Sequence, residues 1–221
     1  MIVAFDLEGT LVDAELFPAL GEYNGKKPEL DDITDRAMRG ELDFRASLDM
    51  RLELIHNMSI DSVKEVSESL PLTRGAQETV SKIMDLGGVP IIVTGGFEVL
   101  ASRVAGELGI EYVCCNRFTV EEKKITGFKE PVITGKGKSE KLLGLASWLG
   151  VQPKRCVAIG DGANDIPMMQ SCGLSIAFNA REKVLRTATV SISGKDLRQV
   201  LPHIEEFCAM MDRRELVINQ I

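Results

Sequence analysis

Histidine and aromatic residues are scarce in this chain. Its 221 residues include two histidines, one tryptophan and two tyrosines, and aromatics make up 5%. No histidine adjoins any of the five cysteines and no Cys-x-x-Cys spacing occurs, so a histidine-based triad and a Cys/His zinc site are both poorly supported. Positive charge is also short. Lys+Arg is 26 against 33 Asp+Glu, a formal net charge of −7. That balance argues against a nucleic-acid or anionic-membrane surface, which needs clustered cations. It leaves room for a small phosphorylated substrate, which needs only one or two. No apolar run approaches the roughly 20 residues of a membrane span, and no basic region precedes the first apolar run, so neither an anchor nor a secretory signal is expected. Cys114 and Cys156 lie in apolar runs and read as small core hydrophobes. A reducing, cytoplasmic setting is the corresponding expectation.

What is present suits a packed core: 44% hydrophobic and 27% charged residues. The length fits one large domain, or one core with a small insert. Ile2–Phe5, Val89–Val93 and Cys156–Ile159 are short, unbroken apolar runs, the pattern of parallel strands covered on both faces. Between them, Ala76–Leu86, Glu98–Leu108 and Lys138–Leu149 carry apolar residues at helical spacing, and Trp148 beside Leu145 and Leu149 reads as core. This alternation predicts an α/β fold, a Rossmann-like parallel sheet with helices on both faces. Residues 15–74 break the alternation with polar, helical sequence. They read as a small helical cap inserted after the first strand, with 1–14 and 75–221 forming the core. Within the insert, Asp31-Asp32 is positioned to cap a helix ending at Arg39-Gly40, and Asp61 to cap another. Phe118–Gly127 reads as a hairpin with its tip at Glu121–Lys124.

All three strand runs end in polar clusters: Asp6-Leu7-Glu8-Gly9-Thr10, Thr94-Gly95-Gly96, and Gly160-Asp161-Gly162-Ala163-Asn164-Asp165. Ligands of open parallel sheets bind beyond the carboxyl ends of the strands, so these clusters should converge. Four carboxylates near one point (Asp6, Glu8, Asp161, Asp165) repel one another unless a cation joins them, and hard oxygen donors suit Mg²⁺. Gly95, Gly96 and Gly162 let backbone N–H groups approach an anion closely. Thr94 offers a hydroxyl, and Lys138 or Lys136 a positive charge. The chemistry this suits is phosphoryl transfer, with Asp6 as nucleophile and Glu8 as general acid and base. In the insert, Phe44, Leu48, Arg51 and Ile55 share one helical face, and an Arg within an apolar stripe calls for an anionic partner.

The three clusters, read as Asp6–Val12, Val93–Phe97 and Gly160–Asp165, resemble the motifs of the haloacid dehalogenase superfamily. The chain to about Ile204 resembles its phosphoserine phosphatase branch, whose helical cap follows the first motif. The resemblance implies an aspartyl-phosphate on Asp6. It implies Mg²⁺ held by Asp6, Asp161 and the backbone carbonyl of Glu8, with Asp165 partnering the ion. It places Thr94 and Lys138, with Lys136 as the alternative, on the phosphoryl group, and Gly95, Gly96 and Asn164 around the substrate. It further implies that Glu15 reads a substrate ammonium, Phe44 covers the substrate and Arg51 binds its carboxylate. The implied reaction is L-phosphoserine hydrolysis. One departure is Glu8, where the family usually has a second Asp; a phosphoserine:homoserine phosphotransferase resembling this branch also carries Glu there. Transfer to an alcohol, hydrolysis of another small phosphate ester and a regulatory phospho-acceptor are the competing readings. A regulatory acceptor needs no cap.

Overall fold

The computed structural model describes residues 1–38 and 41–218. The chain runs β1 (Ile2–Phe5), then α1 (Leu16–Asn24), α2 (Lys27–Met38), α3 (Phe44–Ile55) and α4 (Ile60–Ser69). It continues through α5 (Ala76–Asp85), β2 (Val89–Phe97), α6 (Glu98–Leu108), β3 (Tyr112–Asn116), β4 (Phe118–Glu121), β5 (Lys124–Phe128) and α7 (Gly135–Trp148). Last come β6 (Cys156–Gly160), α8 (Ile166–Gln170), β7 (Leu174–Phe178), α9 (Glu182–Leu185), β8 (Val190–Ile192) and α10 (Leu201–Ile218). Six strands form one parallel sheet in the order β3-β2-β1-β6-β7-β8, and β4 and β5 form a separate antiparallel hairpin.

The unbroken apolar runs follow from burial on both faces. Ile2, Ala4, Ile91, Val93, Cys156 and Ala158 pack with Leu142 and Ala146 of α7 and Met168 and Met169 of α8. Val3, Phe5, Ile92, Val157 and Ile159 point the other way, against Val80 and Ile83 of α5 and Leu100 and Val104 of α6. That second cluster continues into α1–α4 through Phe17, Leu20, Leu48, Ile55 and Val63, so the insert shares a core with the sheet. Each fully buried side chain of this size contributes about 1.5–3 kcal/mol over its exposed state.

Several local expectations are corrected. Asp31 and Asp32 lie inside α2, which begins four residues earlier at Lys27, with Pro28 early in the helix where a missing N–H costs nothing. The expected end of that helix at Arg39-Gly40 lies outside the described residues. The cap of α4 is Ser59, whose hydroxyl accepts from Asp61 N at 3.2 Å. Trp148 is 72% exposed and meets Tyr112 edge-on at 6.0 Å, because Leu142 and Ala146 take the inward face of α7. The strand through Val93 runs on to Phe97, carrying Thr94, Gly95 and Gly96 within it. Strands β3, β7 and β8 extend the sheet beyond the three strands that the sequence predicts.

The hairpin tip falls at Glu122 and Lys123, both with positive φ (47° and 63°), which suits a tight two-residue turn. This hairpin reaches back to the insert. Asn57 N donates to Ile125 O at 2.9 Å, Ile125 N to Met58 O at 3.0 Å, and Ile60 N to Lys123 O at 2.9 Å. Arg45 of α3 also pairs with Glu130 and lies over the Phe128 ring, its guanidinium carbon 4.8 Å from the centroid. No described helix is long and apolar enough to cross a membrane.

Candidate active site

Asp6 follows the last residue of β1, the strand lying between β2 and β6, and its N–H donates to Ile159 O at 2.9 Å. Asp161 follows the last residue of β6, one residue beyond the level of Asp6 in the parallel register, so both carboxylates emerge at the same end of the sheet. Asp165 closes the short helical turn Ala163–Asp165 and returns its side chain to the same point. Ligand atoms of Asp6, Asp161 and Asp165 all lie within 4.8 Å of one another. The Glu8 carboxylate is not part of this triad.

Lys138 sits in the first turn of α7, completely buried, with Nζ 2.7 Å from Asp6 Oδ1 and 2.7 Å from Asp165 Oδ1. Burial pulls this ammonium down, but the Asp165 and Asp6 charges and hydrogen bonds outweigh it and hold the value above the ordinary lysine range. Lys136, the alternative by spacing, points to solvent and pairs with Glu140 at 3.7 Å. Asp165 Oδ2 accepts from Gly162 N at 3.0 Å, so both of its oxygens are engaged in holding the loop and the lysine.

The acids are crowded. Burial, with the Asp6 and Asp165 charges, pushes Asp161 up to about 8. Burial and Asp6 push Asp165 to about 6 against the opposing pull of Lys138. Such a cluster of hard oxygen donors fits a divalent cation, which would relieve the repulsion. The backbone leaves room for these groups. Gly9 has φ +74°, and a Cβ there would lie 2.7 Å from Asp161 Oδ2; one at Gly160 would lie 2.3 Å from Asp165 Oδ2.

Thr94 is buried, and its Oγ1 accepts from Gly96 N at 2.9 Å. Glu8 Oε1 accepts from Leu16 N at 2.7 Å, at the N-terminus of α1, while Oε2 stands where a Gly96 Cβ would be, 2.5 Å away. The Glu8 side chain thus reaches from Gly96 to the N-terminus of α1. Burial first, and Glu15 second, raise Glu8 to about 8. The Phe44 ring seats on Gly95, where a Cβ would meet it at 3.1 Å. Asn164 packs its side-chain oxygen onto Gly162.

From the insert, Glu15 bears on Asp6, Asp161 and Glu8, and Arg51 bears on Glu15 and Glu8. Loss of hydration and the Asp6 charge raise Glu15, and Arg51 opposes the rise. Burial lowers Arg51, against the pull of Glu15 and Glu8. Among the described residues the two form no direct ion pair. Arg51 Nη2 donates to Thr34 Oγ1 at 3.2 Å, and its buried Nε has no partner.

A further positioning residue is not among those predicted from the sequence. Asn116, buried at the end of β3, donates Nδ2 to Gly95 O at 2.8 Å and accepts Ile133 N at 2.7 Å. It ties the Thr94–Gly96 segment to the approach to α7. The available signal was an amide closing an apolar run, which is common at strand ends.

Comparison with known proteins agrees with this geometry. A family model described as haloacid dehalogenase-like hydrolase matches residues 1–173. The phosphoserine phosphatase of Methanocaldococcus jannaschii is 35% identical over 205 residues, 92% of this chain and 97% of that protein. The phosphoserine phosphatase of a Polaromonas species is 36% identical over 207 residues, 90% of this chain and 88% of its own length. A solved structure of a phospho-aspartyl intermediate analogue of phosphoserine phosphatase superposes with a TM-score of 0.87 at 34% identity, covering 92% of this chain and 98% of that one. A substrate-bound phosphoserine phosphatase structure gives 0.87 at 33% identity, covering 92% and 97%.

Proposed function

We propose that this chain, which belongs to the haloacid dehalogenase-like hydrolase family in its phosphoserine phosphatase-like branch, hydrolyses L-phosphoserine to L-serine and phosphate with Mg²⁺ as cofactor. The observation that carries the reading is the charge sequence at the carboxyl end of the sheet: the Asp6–Asp161–Asp165 triad, Glu15 of the insert acting on Asp6 and Asp161, and Arg51 acting on Glu15 and Glu8. A zwitterionic amino acid esterified to phosphate presents charges matching both halves.

Asp6, Asp161 and the backbone carbonyl of residue 8 would hold the cation, with Asp165 beside them. When bound, the ion supplies positive charge to the transferring phosphoryl group. Asp6 attacks phosphorus and the serine ester bond breaks. Glu8, whose hold on its proton burial and the neighbouring Glu15 strengthen, gives that proton to the departing serine oxygen. Glu8 then takes a proton from water, whose oxygen attacks the same phosphorus; the Asp6–phosphate bond breaks and phosphate leaves. Lys138 positions Asp6 and offsets the negative charge gathered there, while Thr94, Gly95 and Gly96 receive the phosphoryl oxygens. Arg51 pairs with the substrate carboxylate through its unmatched Nε, Glu15 receives the ammonium, and Phe44 covers both. Asn164 borders the same space. Residues 15–74 act as the cap and the remainder as the catalytic core.

The test is phosphate release across a panel of amino-acid and sugar phosphates in Mg²⁺ and in EDTA, with Asp6→Asn alongside. Release from phosphoserine should require Mg²⁺ and vanish in the variant. Equal rates in EDTA, or an active Asp6→Asn, would overturn the reading.

A further inference from the structure

The geometry points to Phe17 as a positioning residue that selects amino-acid phosphates by holding Arg51 in place, an inference that rests on the phosphoserine reading above. Phe17 lies in the first turn of α1, two residues after Glu15, and is buried. The Arg51 guanidinium lies over its ring, with Cζ 5.6 Å from the centroid, inside the distance at which a cation is drawn to an aromatic face.

Arg51 needs such a support. It stands on α3, its charge largely withdrawn from water, and Thr34 takes one of its N–H groups. Thr34 is itself occupied, donating its hydroxyl to Leu30 O at 2.9 Å. Nε is buried with no hydrogen-bond partner. A flexible side chain with one polar anchor has many ways to turn that Nε elsewhere. An aromatic face beneath the planar group removes most of them, leaving Nε committed to an incoming carboxylate.

The ring is itself fixed. Phe17 meets Phe97 edge-on, centroids 5.8 Å apart at 79°, and Phe97 stacks flat on Phe118 at 3.9 Å and 6°. Phe97 ends the strand that carries Thr94, Gly95 and Gly96, and Phe118 begins the hairpin stitched to the insert. The column Arg51–Phe17–Phe97–Phe118 therefore sets the carboxylate reader against the segment that receives phosphate. The distance between the two ends of the substrate is gauged through these rings. An aliphatic residue at position 17 fills the space and offers no face to the guanidinium.

The experiment compares Phe17→Leu and Phe17→Tyr, each in the native and Arg51→Ala backgrounds, on L-phosphoserine and on p-nitrophenyl phosphate, which has no carboxylate. Phe17→Leu should raise KM for phosphoserine about three- to thirtyfold with kcat changed much less. The aryl ester should respond far less, and Phe17→Tyr should retain most of the phosphoserine affinity. In the Arg51→Ala background Phe17→Leu should add little, since the group it supports is gone. If Phe17→Leu does not fold, Phe17→Met, which also lacks a ring, takes its place. The same KM rise on both esters, or the same factor in both backgrounds, would show that Phe17 serves only the fold. A native protein that does not turn over phosphoserine would overturn the substrate reading and this role with it.

Discussion

Gly95 and Gly96 are chemically identical neighbours with different obligations. A Cβ at Gly96 would stand 2.5 Å from Glu8 Oε2, and that carboxylate is anchored at its other oxygen to Leu16 N. To make room it must shift against its bond to the N-terminus of α1. A Cβ at Gly95 would touch the Phe44 ring at 3.1 Å, and a ring on a helix can yield by a few tenths of an ångström. Gly96→Ala should therefore cost about a hundredfold in kcat, the scale of an ångström-sized misplacement of a catalytic group. Gly95→Ala should act mainly on KM and lose much less. Steady-state rates of the two variants check this, and equal kcat losses would mean that Glu8 is not held as described.

At the scale of elements, the helical insert has more attachments than its two chain connections. The segment 57–60 joins α3 to α4 and is bonded through its backbone to the hairpin, which leaves the chain after β3. The amides of Asn57, Ile60 and Ile125 should exchange with solvent as one group, because opening one requires the hairpin to part from the insert. Hydrogen exchange resolved by residue tests this; an Asn57 or Ile60 amide exchanging far faster than that of Ile125 would show that the stitches do not hold.

That attachment was not legible in the sequence, since it depends on partners more than sixty residues apart. The strands that were legible, β1, β2 and β6, are those with unbroken apolar runs. In β7 the polar Ser175 interrupts the run, where it exchanges hydrogen bonds with Thr189. Strand β3 is an edge with half-buried cysteines, and β8 has three residues. Asp31, Asp32 and Asp61 misled as caps because acidic residues are equally at home within the first turns of a helix. The acidic triad was legible because strand ends in a parallel sheet converge whatever their separation along the chain. Burial, which spacing does not show, distinguishes Lys138, enclosed between Asp6 and Asp165, from solvent-facing Lys136. Asn116 and Phe17 act through neighbours that spacing does not reveal.

The whole molecule carries the imprint of its crowded acids. Without a cation, Glu8 and Asp161 titrate near 8 and Asp165 near 6 in the folded state. Their unfolded values lie near 4, so between about pH 4 and about pH 8 the folded state binds more protons than the unfolded one. Stability attributable to these groups is complete below about pH 4 and falls as pH rises to about 8. In EDTA the melting temperature should decline across that window. Mg²⁺ should flatten the decline, because the cation takes the place of the protons and binds more tightly as pH rises. At one hundred times its dissociation constant, a ligand of the folded state adds about 2.7 kcal/mol, roughly 5–10 °C for a chain of this size. Thermal melts with and without Mg²⁺ at several pH values measure both effects. A metal-free melting temperature that rises steadily to pH 8 would contradict the crowding.

The complete enclosure of Lys138 has a consequence for chemical labelling. Its amine is held between two carboxylates with no exposed surface, whereas Lys136, two residues earlier, is open to solvent. An acylating reagent in excess marks Lys136 in the native protein and reaches Lys138 only when the sheet and α7 separate. The two lysines share a short stretch of chain, so one peptide carries both the internal standard and the reporter. The ratio of doubly to singly tagged peptide counts the molecules that have opened, without a dye, a substrate or an assay of turnover.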